Sequence, residues 1–396
     1  MRLDLTVAVL ILNQLIFFSC GMQTFENFRL PKREGVQVGY FNHIELVTST
    51  GRKDTIITRS LNPAIFEVPA YFSPEECEYL IMMAKNAGLQ RSPLQPTGVS
   101  IPDIATEELF HEWDVDKDGL LSPIEFTYIK GKGDLYLSAA DVSTMFRKLR
   151  LDKDSDGMIN LVEFLRLPLG DMKVYLYKLG QENPLIQSRN SNQTWLWHYG
   201  AYNDLLESFH ERLSRLTLIP HDVIEMSEPM QIVSYNGEGH FHCHHDSDEV
   251  DERPCCTYQN QKDGKCRLCR YITVMFFLSN VTEGGELVFQ IADNATYSKE
   301  DWALEAVEKC NVVTNCAKGN LVIKPKQGTA LMWYNHDVDS KTGMLGELNP
   351  MSVHGGCEVR KGAKWIANNW INIIGQSGSE EFKSGWLKQR LDHDEL

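Results

Sequence analysis

A histidine-rich segment, residues 239–246, contains side chains that could bind a metal ion. Because alternate residues of a β-strand share a face, we expect His244 and Asp246 to point to one side, with His245 turned away. His354, on a later predicted strand, is a third candidate ligand. Two imidazoles and one carboxylate would hold ferrous iron and leave its other coordination positions open. An iron site of this kind can bind an α-keto acid and dioxygen together.

Lys364 follows His354 in the sequence, after a predicted hairpin turn at residues 360–362. Alternation along the next strand places Lys364, Asn368 and Trp370 on one face. A buried ammonium group needs an anionic partner, because an unpaired buried charge is costly. We therefore expect Lys364 to bind an anion, and the far carboxylate of 2-oxoglutarate suits an iron site of this type.

A zinc site is the main alternative for the same histidines, since His240, His242 and His244 would share one face of a regular strand. Zinc has no need of a lysine nearby, so the position of Lys364 favours iron. His240 and His242 are then expected to line the pocket, because three protein ligands already complete the iron site.

Two acidic loops, residues 114–125 and 152–163, match the calcium loop of the EF-hand. Such a loop has carboxylates at positions 1, 3 and 5, a glycine at position 6, a backbone carbonyl at position 7 and a bidentate glutamate at position 12. The expected calcium ligands are Asp114, Asp116, Asp118, Leu120 and Glu125 in the first loop, and Asp152, Asp154, Asp156, Met158 and Glu163 in the second. An acidic surface turn is the alternative for either loop. We expect bound calcium to stabilise the fold rather than to regulate catalysis.

Short strands must position the metal-binding side chains. Runs of β-forming residues between Gly- and Pro-bearing turns predict strands at 230–235, 271–278, 286–289, 320–323, 329–333, 351–354 and 364–373. This pattern is typical of a β-sandwich or jelly roll. A helix is predicted after Ser73, which forms a capping box with Glu76, and Gly88 ends it. The sequence therefore predicts an α+β protein.

Both ends of the chain indicate the secretory pathway. Residues 1–21 have the basic start, short apolar run and small residues of a signal peptide, and an uncleaved signal anchor is the alternative. Residues 393–396 read His-Asp-Glu-Leu, which a retrieval receptor of the endoplasmic reticulum binds. We therefore expect a protein of the endoplasmic reticulum lumen, and membrane anchoring is less favoured. The net charge of −15 argues against nucleic acid as a partner.

The 10 cysteines are expected to form disulfides in such an oxidising compartment. Four of them crowd into one loop, at Cys255, Cys256, Cys266 and Cys269. Zinc binding is the alternative for that loop, and the sequence leaves the disulfide connectivity open. Sequons that indicate a glycoprotein begin at Asn192, Asn280 and Asn294.

Several motifs resemble those of the prolyl 4-hydroxylases, and within that family the transmembrane, EF-hand-containing branch. The matching segments lie at 68–77, 270–273, 284–286, 326–330 and 365–371. The resemblance implies a double-stranded β-helix (jelly-roll) core that uses Fe(II) and 2-oxoglutarate, with L-ascorbate to keep the iron ferrous. It further implies that iron is bound by His244, Asp246 and His354, and 2-oxoglutarate by Lys364, Tyr235 and Trp370.

The reaction that the resemblance implies is hydroxylation of a peptidyl proline at C4, coupled to decarboxylation of 2-oxoglutarate to succinate. The substrate is then a proline-containing peptide or protein. The alternatives are an oxygenase for a different residue and a luminal calcium-binding protein with an inactive jelly roll. Phe277 stands where relatives usually have a tyrosine whose hydroxyl helps to bind 2-oxoglutarate, which predicts weaker binding of the cosubstrate.

The expected domain order follows from these features. It comprises a signal segment (1–21), an N-terminal extension (22–62), the start of the catalytic region (63–102), the EF-hand pair (103–170), a helical support region (171–228), the dioxygenase domain (229–375) and a tail with the retrieval signal (376–396). The EF-hand pair would be an insertion between the first helix of the family and its barrel.

Overall fold

The computed structural model of the protein describes residues 29–47, 52–92, 102–127, 135–197, 203–261 and 264–373. The predicted signal segment and the predicted retrieval tail lie outside these ranges.

The strands are β1 (Phe41–Val47), β2 (Arg52–Leu61), β3 (Ala64–Val68), β4 (Gln90–Arg91), β5 (Leu120–Leu121), β6 (Ile159–Asn160), β7 (Arg189–Asn190), β8 (Asn192–Leu196), β9 (Met230–Tyr235), β10 (His240–His244), β11 (Cys255–Cys256), β12 (Arg267–Leu268), β13 (Arg270–Phe277), β14 (Glu283–Gly284), β15 (Leu287–Phe289), β16 (Leu321–Ile323), β17 (Ala330–Tyr334), β18 (His336–Val338), β19 (Leu345–Leu348), β20 (His354–Gly356), β21 (Val359–Lys361) and β22 (Lys364–Asn372). The α-helices are α1 (Pro74–Ala87), α2 (Glu107–Trp113), α3 (Pro123–Phe126), α4 (Ala139–Leu149), α5 (Leu161–Phe164), α6 (Leu169–Glu182), α7 (Asn203–Thr217), α8 (His221–Glu225), α9 (Lys299–Lys309) and α10 (Val312–Asn315). None of the helices within the described ranges combines the length and the apolar character needed to span a membrane.

Two antiparallel sheets form the centre of the fold. The large sheet has nine strands in the order β1-β2-β3-β17-β13-β22-β9-β8-β4, and the small sheet has five in the order β16-β15-β20-β10-β7. Apolar side chains of both sheets share one core, which includes Met275 and Trp333 of the large sheet and Leu287 and Phe289 of the small sheet. The prediction of an α+β protein built on packed antiparallel sheets is confirmed.

Part of the large sheet comes from residues that the sequence analysis placed outside the sheets. β1 and β2 lie within residues 22–62, and β8 lies within residues 171–228. The buried alternating residues of β2 are Asp54, Ile56, Thr58 and Ser60. Because most of them are polar, this strand lacks the period-two apolar pattern from which strands are predicted.

The predicted first helix is confirmed as α1. The hydroxyl of Ser73 accepts a hydrogen bond from the amide of Glu76, whose carboxylate accepts one from the amide of Ser73. Gly88 follows the helix with a φ of +84°, a conformation that favours glycine. The apolar residues that α1 and α7 contribute to the core of the large sheet include Leu80, Met83, Phe209 and Leu213.

The connection between His354 and Lys364 differs from the predicted hairpin. Residues Pro350–Ser352 form a short 3₁₀ helix where a strand was predicted, and β20 begins only at His354. β20 belongs to the small sheet and β22 to the large one. The strand that leads into the predicted turn at residues 360–362, β21, pairs with β14 and not with β22, so the predicted hairpin is wrong. His354 and Lys364 therefore reach the space between the sheets from opposite sides.

The two acidic loops belong to a helical unit with its own hydrophobic core. Aromatic rings of α2, α3 and α5 pack edge to face there, including Phe110, Trp113, Phe126 and Phe164. The loops are joined by the short pairing of β5 with β6. A bridge between Leu135 and Gln187 connects this unit to the segment that leads into β7.

Disulfide bonds connect most of the described cysteines, as predicted. The pairs are Cys243–Cys310, Cys255–Cys269, Cys256–Cys266 and Cys316–Cys357. Cys77 is the free cysteine of the described residues. All four sulfurs of the loop at 255–269 are paired, so the zinc alternative for that loop is wrong.

Candidate active site

Three side chains converge in one cavity: His244 at the end of β10, Asp246 just after that strand, and His354 at the start of β20. Nε2 of His244 lies 3.6 Å from Oδ1 of Asp246, and Nε2 of His354 lies 3.6 Å from Oδ2 of the same carboxylate. The three candidate ligand atoms lie within 4.8 Å of one another. This arrangement of two imidazoles and one carboxylate fits a single metal ion.

A β-bulge in β10 determines the direction of His244. Between two of its pairs with β20, this strand contains one extra residue. The ring of His244 consequently stacks on that of Phe241, with centroids 3.6 Å apart, whereas His242 lies beside His240. Bulges re-aim side chains in this way. The expectation that His240, His242 and His244 share a face, on which the zinc alternative depended, is therefore wrong.

Backbone carbonyls fix the tautomer of both candidate imidazole ligands. Nδ1 of His244 lies 2.9 Å from the carbonyl oxygen of His242, and Nδ1 of His354 lies 2.8 Å from that of Ser352. A carbonyl can only accept, so each Nδ1 has the proton and each Nε2 offers a lone pair to the site. Burial also lowers the pKa of His244, which keeps its ring neutral.

Hydrogen bonds orient the carboxylate of Asp246. The hydroxyl of Thr273 donates to Oδ2 of Asp246 at 2.8 Å, and Asn335 donates to that hydroxyl, also at 2.8 Å. Arg270 donates to the backbone carbonyl of Asp246 at 3.0 Å. Burial alone would raise the pKa of this carboxyl, but the adjacent imidazoles, Arg270 and Thr273 hold it below its usual value. Asp246 is therefore ionised and suited to a cation.

Lys364 lies in the same cavity, on β22 of the large sheet. Its side chain is almost fully buried, and its ammonium lies 5.3 Å from the ring centroid of Tyr235 and 5.8 Å from that of Phe277. Burial lowers the pKa of Lys364 to about 8, although the charge of Glu286 raises it. A buried ammonium in these surroundings fits an anionic ligand.

The cavity has a volume of about 720 Å³, and Tyr235, Lys364 and Trp370 all form part of its wall. The Arg270 guanidinium lies 3.8 Å from the ring centroid of Trp370. Among the described residues, the buried indole N–H of Trp370 has no hydrogen-bond partner. Burial raises the pKa of Tyr235, although the charge of Arg189 and a hydrogen bond with it act in the opposite direction. The structure thus brings the three predicted cosubstrate residues to one cavity.

Several cavity residues were missed by sequence reasoning. Arg189 of β7 lies 4.6 Å from the ring centroid of Phe241, and Trp195 of β8 stacks on Tyr258 with centroids 5.6 Å apart. Tyr136, from between the two acidic loops, also lines the cavity. Local motifs do not mark these residues, because β7 and β8 reach the cavity only by pairing with β10 and β9.

His240 and His242 are buried, but neither is part of the cavity wall. The ring nitrogens of His240 lie 2.8 Å from the carbonyl oxygens of Glu238 and Gln187. Nδ1 of His242 accepts a hydrogen bond from the amide of Val312 at 3.1 Å. The expectation that these two histidines line the pocket is therefore wrong. Their rings instead form hydrogen bonds with the backbone of the segments that pack against β10.

The first acidic loop folds three carboxylates toward one point. Ligand atoms of Asp114, Asp116 and Asp118 lie within 4.8 Å of one another. Oδ2 of Asp114 accepts a hydrogen bond from the amide of Gly119, whereas its Oδ1 is buried without a hydrogen-bond partner among the described residues. The Leu120 amide donates to Asp118, and Glu125 accepts from the loop backbone at Val115 and Ser122.

The second acidic loop has the same design. Ligand atoms of Asp152, Asp154 and Glu163 lie within 4.8 Å of one another, and Asp156 accepts a hydrogen bond from the amide of Met158. A hydrogen bond from the amide of Asp156 lowers the pKa of Asp154, but burial and the neighbouring carboxylates outweigh it and raise that pKa. A cation among these groups would relieve their mutual repulsion.

The fold and the site together define a class of enzyme, and a family model agrees with it. Residues 230–372 match the model of the 2OG-Fe(II) oxygenase superfamily. This range contains the three candidate metal ligands and Lys364. The protein is a 2-oxoglutarate-dependent dioxygenase.

Known relatives narrow the class to a family. The chain is 38% identical to the transmembrane prolyl 4-hydroxylase of Mus musculus over 355 residues, which are 87% of this chain and 70% of the relative. It is 37% identical to the Homo sapiens protein of that name over 354 residues, with the same coverage. With probable prolyl 4-hydroxylase 10 of Arabidopsis thaliana it shares 33% identity over 168 residues, 42% of this chain and 49% of the relative. The chain belongs to the prolyl 4-hydroxylase family, as its motifs predicted.

A solved structure that is similar to part of the chain is that of the viral collagen prolyl hydroxylase vCPH from Paramecium Bursaria Chlorella virus-1 with 2OG. It covers 52% of this chain and 90% of its own, with 21% identity and a TM-score of 0.31.

Proposed function

We propose that the protein hydroxylates peptidyl proline at C4, with Fe(II) as cofactor and 2-oxoglutarate as cosubstrate. The observation on which this depends is that His244, Asp246 and His354 meet in the same cavity as Lys364. A metal ion and a dicarboxylate could therefore bind side by side. Proline as the target residue is supported by the prolyl 4-hydroxylase relatives.

Each residue of the cavity has a role in this proposal. His244, Asp246 and His354 would hold the iron, through two unprotonated Nε2 atoms and an ionised carboxylate. Lys364 pairs with the far carboxylate of 2-oxoglutarate, and the walls beside it include Tyr235 and Trp370. Iron held there would supply the redox chemistry that couples decarboxylation of 2-oxoglutarate to hydroxylation of a C–H bond, with L-ascorbate as the reductant that would keep it ferrous. The chain itself fixes the ligands and orients the cosubstrate.

We also propose that the two acidic loops are an EF-hand pair that binds calcium. The proposed ligands are Asp114, Asp116, Asp118, Leu120 and Glu125, and Asp152, Asp154, Asp156, Met158 and Glu163. The buried Oδ1 of Asp114, which lacks a hydrogen-bond partner among the described residues, supports a cation at the first loop. The glycines at position 6 support the loop geometry, since Gly119 and Gly157 have φ values of +84° and +90°.

The proposed location is the endoplasmic reticulum lumen, with retrieval through the signal at 393–396. The four disulfide bonds among the described residues support an oxidising compartment. The proposed domain order is the one predicted above, with the dioxygenase domain at 229–375 and the EF-hand pair at 103–170. Strands from residues 22–62 and 171–228 complete the large sheet of the dioxygenase domain.

Succinate release from 2-oxoglutarate tests the proposed reaction. The full-length protein is incubated with Fe(II), ascorbate and proline-containing peptides, and the peptides are analysed by mass spectrometry for one added oxygen atom on proline. We expect iron-dependent turnover in the wild type and none in His244→Ala. The exposed His43 provides a matched control, because His43→Ala removes an imidazole that is not part of the cavity wall.

Two outcomes would contradict the proposal. Wild-type protein that retains no iron and releases no succinate with any peptide would favour an inactive binding module. Turnover that places the oxygen on lysine or another residue would retain the oxygenase but replace its substrate.

A further inference from the structure

One segment, residues 310–316, is tied by disulfides to both strands that hold the candidate imidazole ligands. Its first residue bonds to Cys243 of β10, and its last residue bonds to Cys357, directly after β20. Cys243 immediately precedes His244, and Cys357 is on the same segment as His354. We call residues 310–316 the brace segment.

Between its two disulfides, the brace segment packs on the seam between β10 and β20. Val312 is fully buried, and its amide donates to Nδ1 of His242 at 3.1 Å. A Cβ atom added at Gly355 would lie 2.8 Å from Cγ1 of Val312 and 3.0 Å from the carbonyl oxygen of Phe241. The absence of a side chain at Gly355 therefore allows the brace segment and both strands to lie in direct contact.

We infer that the brace segment positions His244 and His354 for metal binding, an inference that rests on the proposed iron site. His242 links the brace segment to the bulge in β10. Its ring accepts a hydrogen bond from the amide of Val312, and the bulge beside it turns His244 into the cavity. Two ligands on separate strands bind one ion well only if the distance between the strands is held. Groups that orient metal ligands typically change metal affinity by about 10- to 100-fold.

The Gly355→Ala variant tests this inference, because the added methyl group must displace Val312 or β10. The full-length apo-protein is titrated with Mn(II) in the presence of excess Ca(II), which occupies the acidic loops, and free Mn(II) is measured by electron paramagnetic resonance. Binding by His244→Ala is the baseline. We expect Gly355→Ala to raise the Kd by about 10-fold or more. Gly237→Ala is the matched control, since its added Cβ meets nothing within 4 Å.

A pair of double variants gives an independent measurement if Gly355→Ala does not fold. Cys243→Ala/Cys310→Ala removes one tie of the brace segment, and Cys256→Ala/Cys266→Ala removes a disulfide elsewhere. We expect a raised Kd for Mn(II) only in the first.

The outcomes separate this inference from the proposed function. A wild-type protein that binds no Mn(II) above the His244→Ala baseline contradicts the proposed iron site. Normal wild-type binding with an unchanged Kd in Gly355→Ala, or an equal Kd in the two double variants, overturns the role of the brace segment alone.

Discussion

Arg270 and Glu228 form a buried ion pair beside the candidate metal site, with two hydrogen bonds of 2.7 and 2.6 Å. A further N–H of Arg270 donates to the backbone carbonyl of Asp246, and the guanidinium lies over the ring of Trp370. The pair thereby connects a candidate metal ligand to a wall of the proposed cosubstrate cavity.

Removing one partner of this pair is expected to destabilise the protein strongly. Glu228→Ala leaves the charge of Arg270 buried without its carboxylate, which typically costs about 3–5 kcal/mol. The free energy of unfolding is measured by urea denaturation of the apo-protein. Glu283→Ala is the control, because Glu283 pairs with Arg360 on the surface, where a loss of at most about 1 kcal/mol is expected. Equal losses in the two variants would show that the buried pair has no special role.

The hydroxyl of Thr273 is expected to support metal binding through Asp246. Thr273→Val removes the donor to Oδ2 of Asp246 with little change in shape, so we expect the Kd for a divalent metal to rise about 10-fold. Thr273→Ser keeps the hydroxyl and should restore most of the affinity. Metal binding is measured by Mn(II) titration as above. Identical affinities of the two variants would contradict the role of this hydrogen bond.

Lys364 predicts a pH dependence for binding of 2-oxoglutarate. Burial lowers its pKa from 10.5 to about 8, so the folded apo-protein releases this proton before the unfolded chain does. The free energy of unfolding of the apo-protein therefore gains a contribution as the pH rises from about 8 to 10.5. Binding of the dicarboxylate requires the ammonium form, so the KM for 2-oxoglutarate should rise about tenfold per pH unit above pH 8.

Two variants check this pH dependence. Lys364→Arg keeps its charge at high pH, so its KM for 2-oxoglutarate, whatever its absolute value, should stay level over the same range. Lys361→Met removes an exposed lysine nearby and should leave the wild-type profile unchanged. A wild-type KM that is flat from pH 7 to 9.5 would show that Lys364 does not titrate in the binding step.

The sequence predicted which residues line the cavity better than it predicted the strand geometry that brings them together. The pattern of His244, Asp246, His354 and Lys364 is informative because metal and anion binding depend on residue type and order. The bulge in β10 leaves no such pattern in the sequence. Its extra residue arises from the way β10 pairs with β20, a strand more than 100 residues later. The rule of alternating faces therefore placed His242 beside His244, which the structure corrects.

Long-range pairing also explains the strands and cavity residues that were missed. β2 buries polar residues such as Asp54 and Thr58, so its strand character depends on its partners rather than on an apolar pattern. Arg189 and Trp195 reach the cavity because β7 and β8 pair with β10 and β9. Pairing between strands distant in the sequence leaves no local motif.

The acidic loops are expected to bind two calcium ions, one in each loop. Glu125→Gln and Glu163→Gln each remove one charge from position 12, so isothermal titration should show one site fewer in either variant. Glu107→Gln, an exposed change in the first turn of α2, is the matched control and should keep both sites. If binding is linked to folding, calcium at 100 times its Kd should raise the free energy of unfolding by about 2.7 kcal/mol per site. Unchanged stoichiometry in both variants would remove the EF-hand proposal, and the buried Oδ1 of Asp114 would then need another partner.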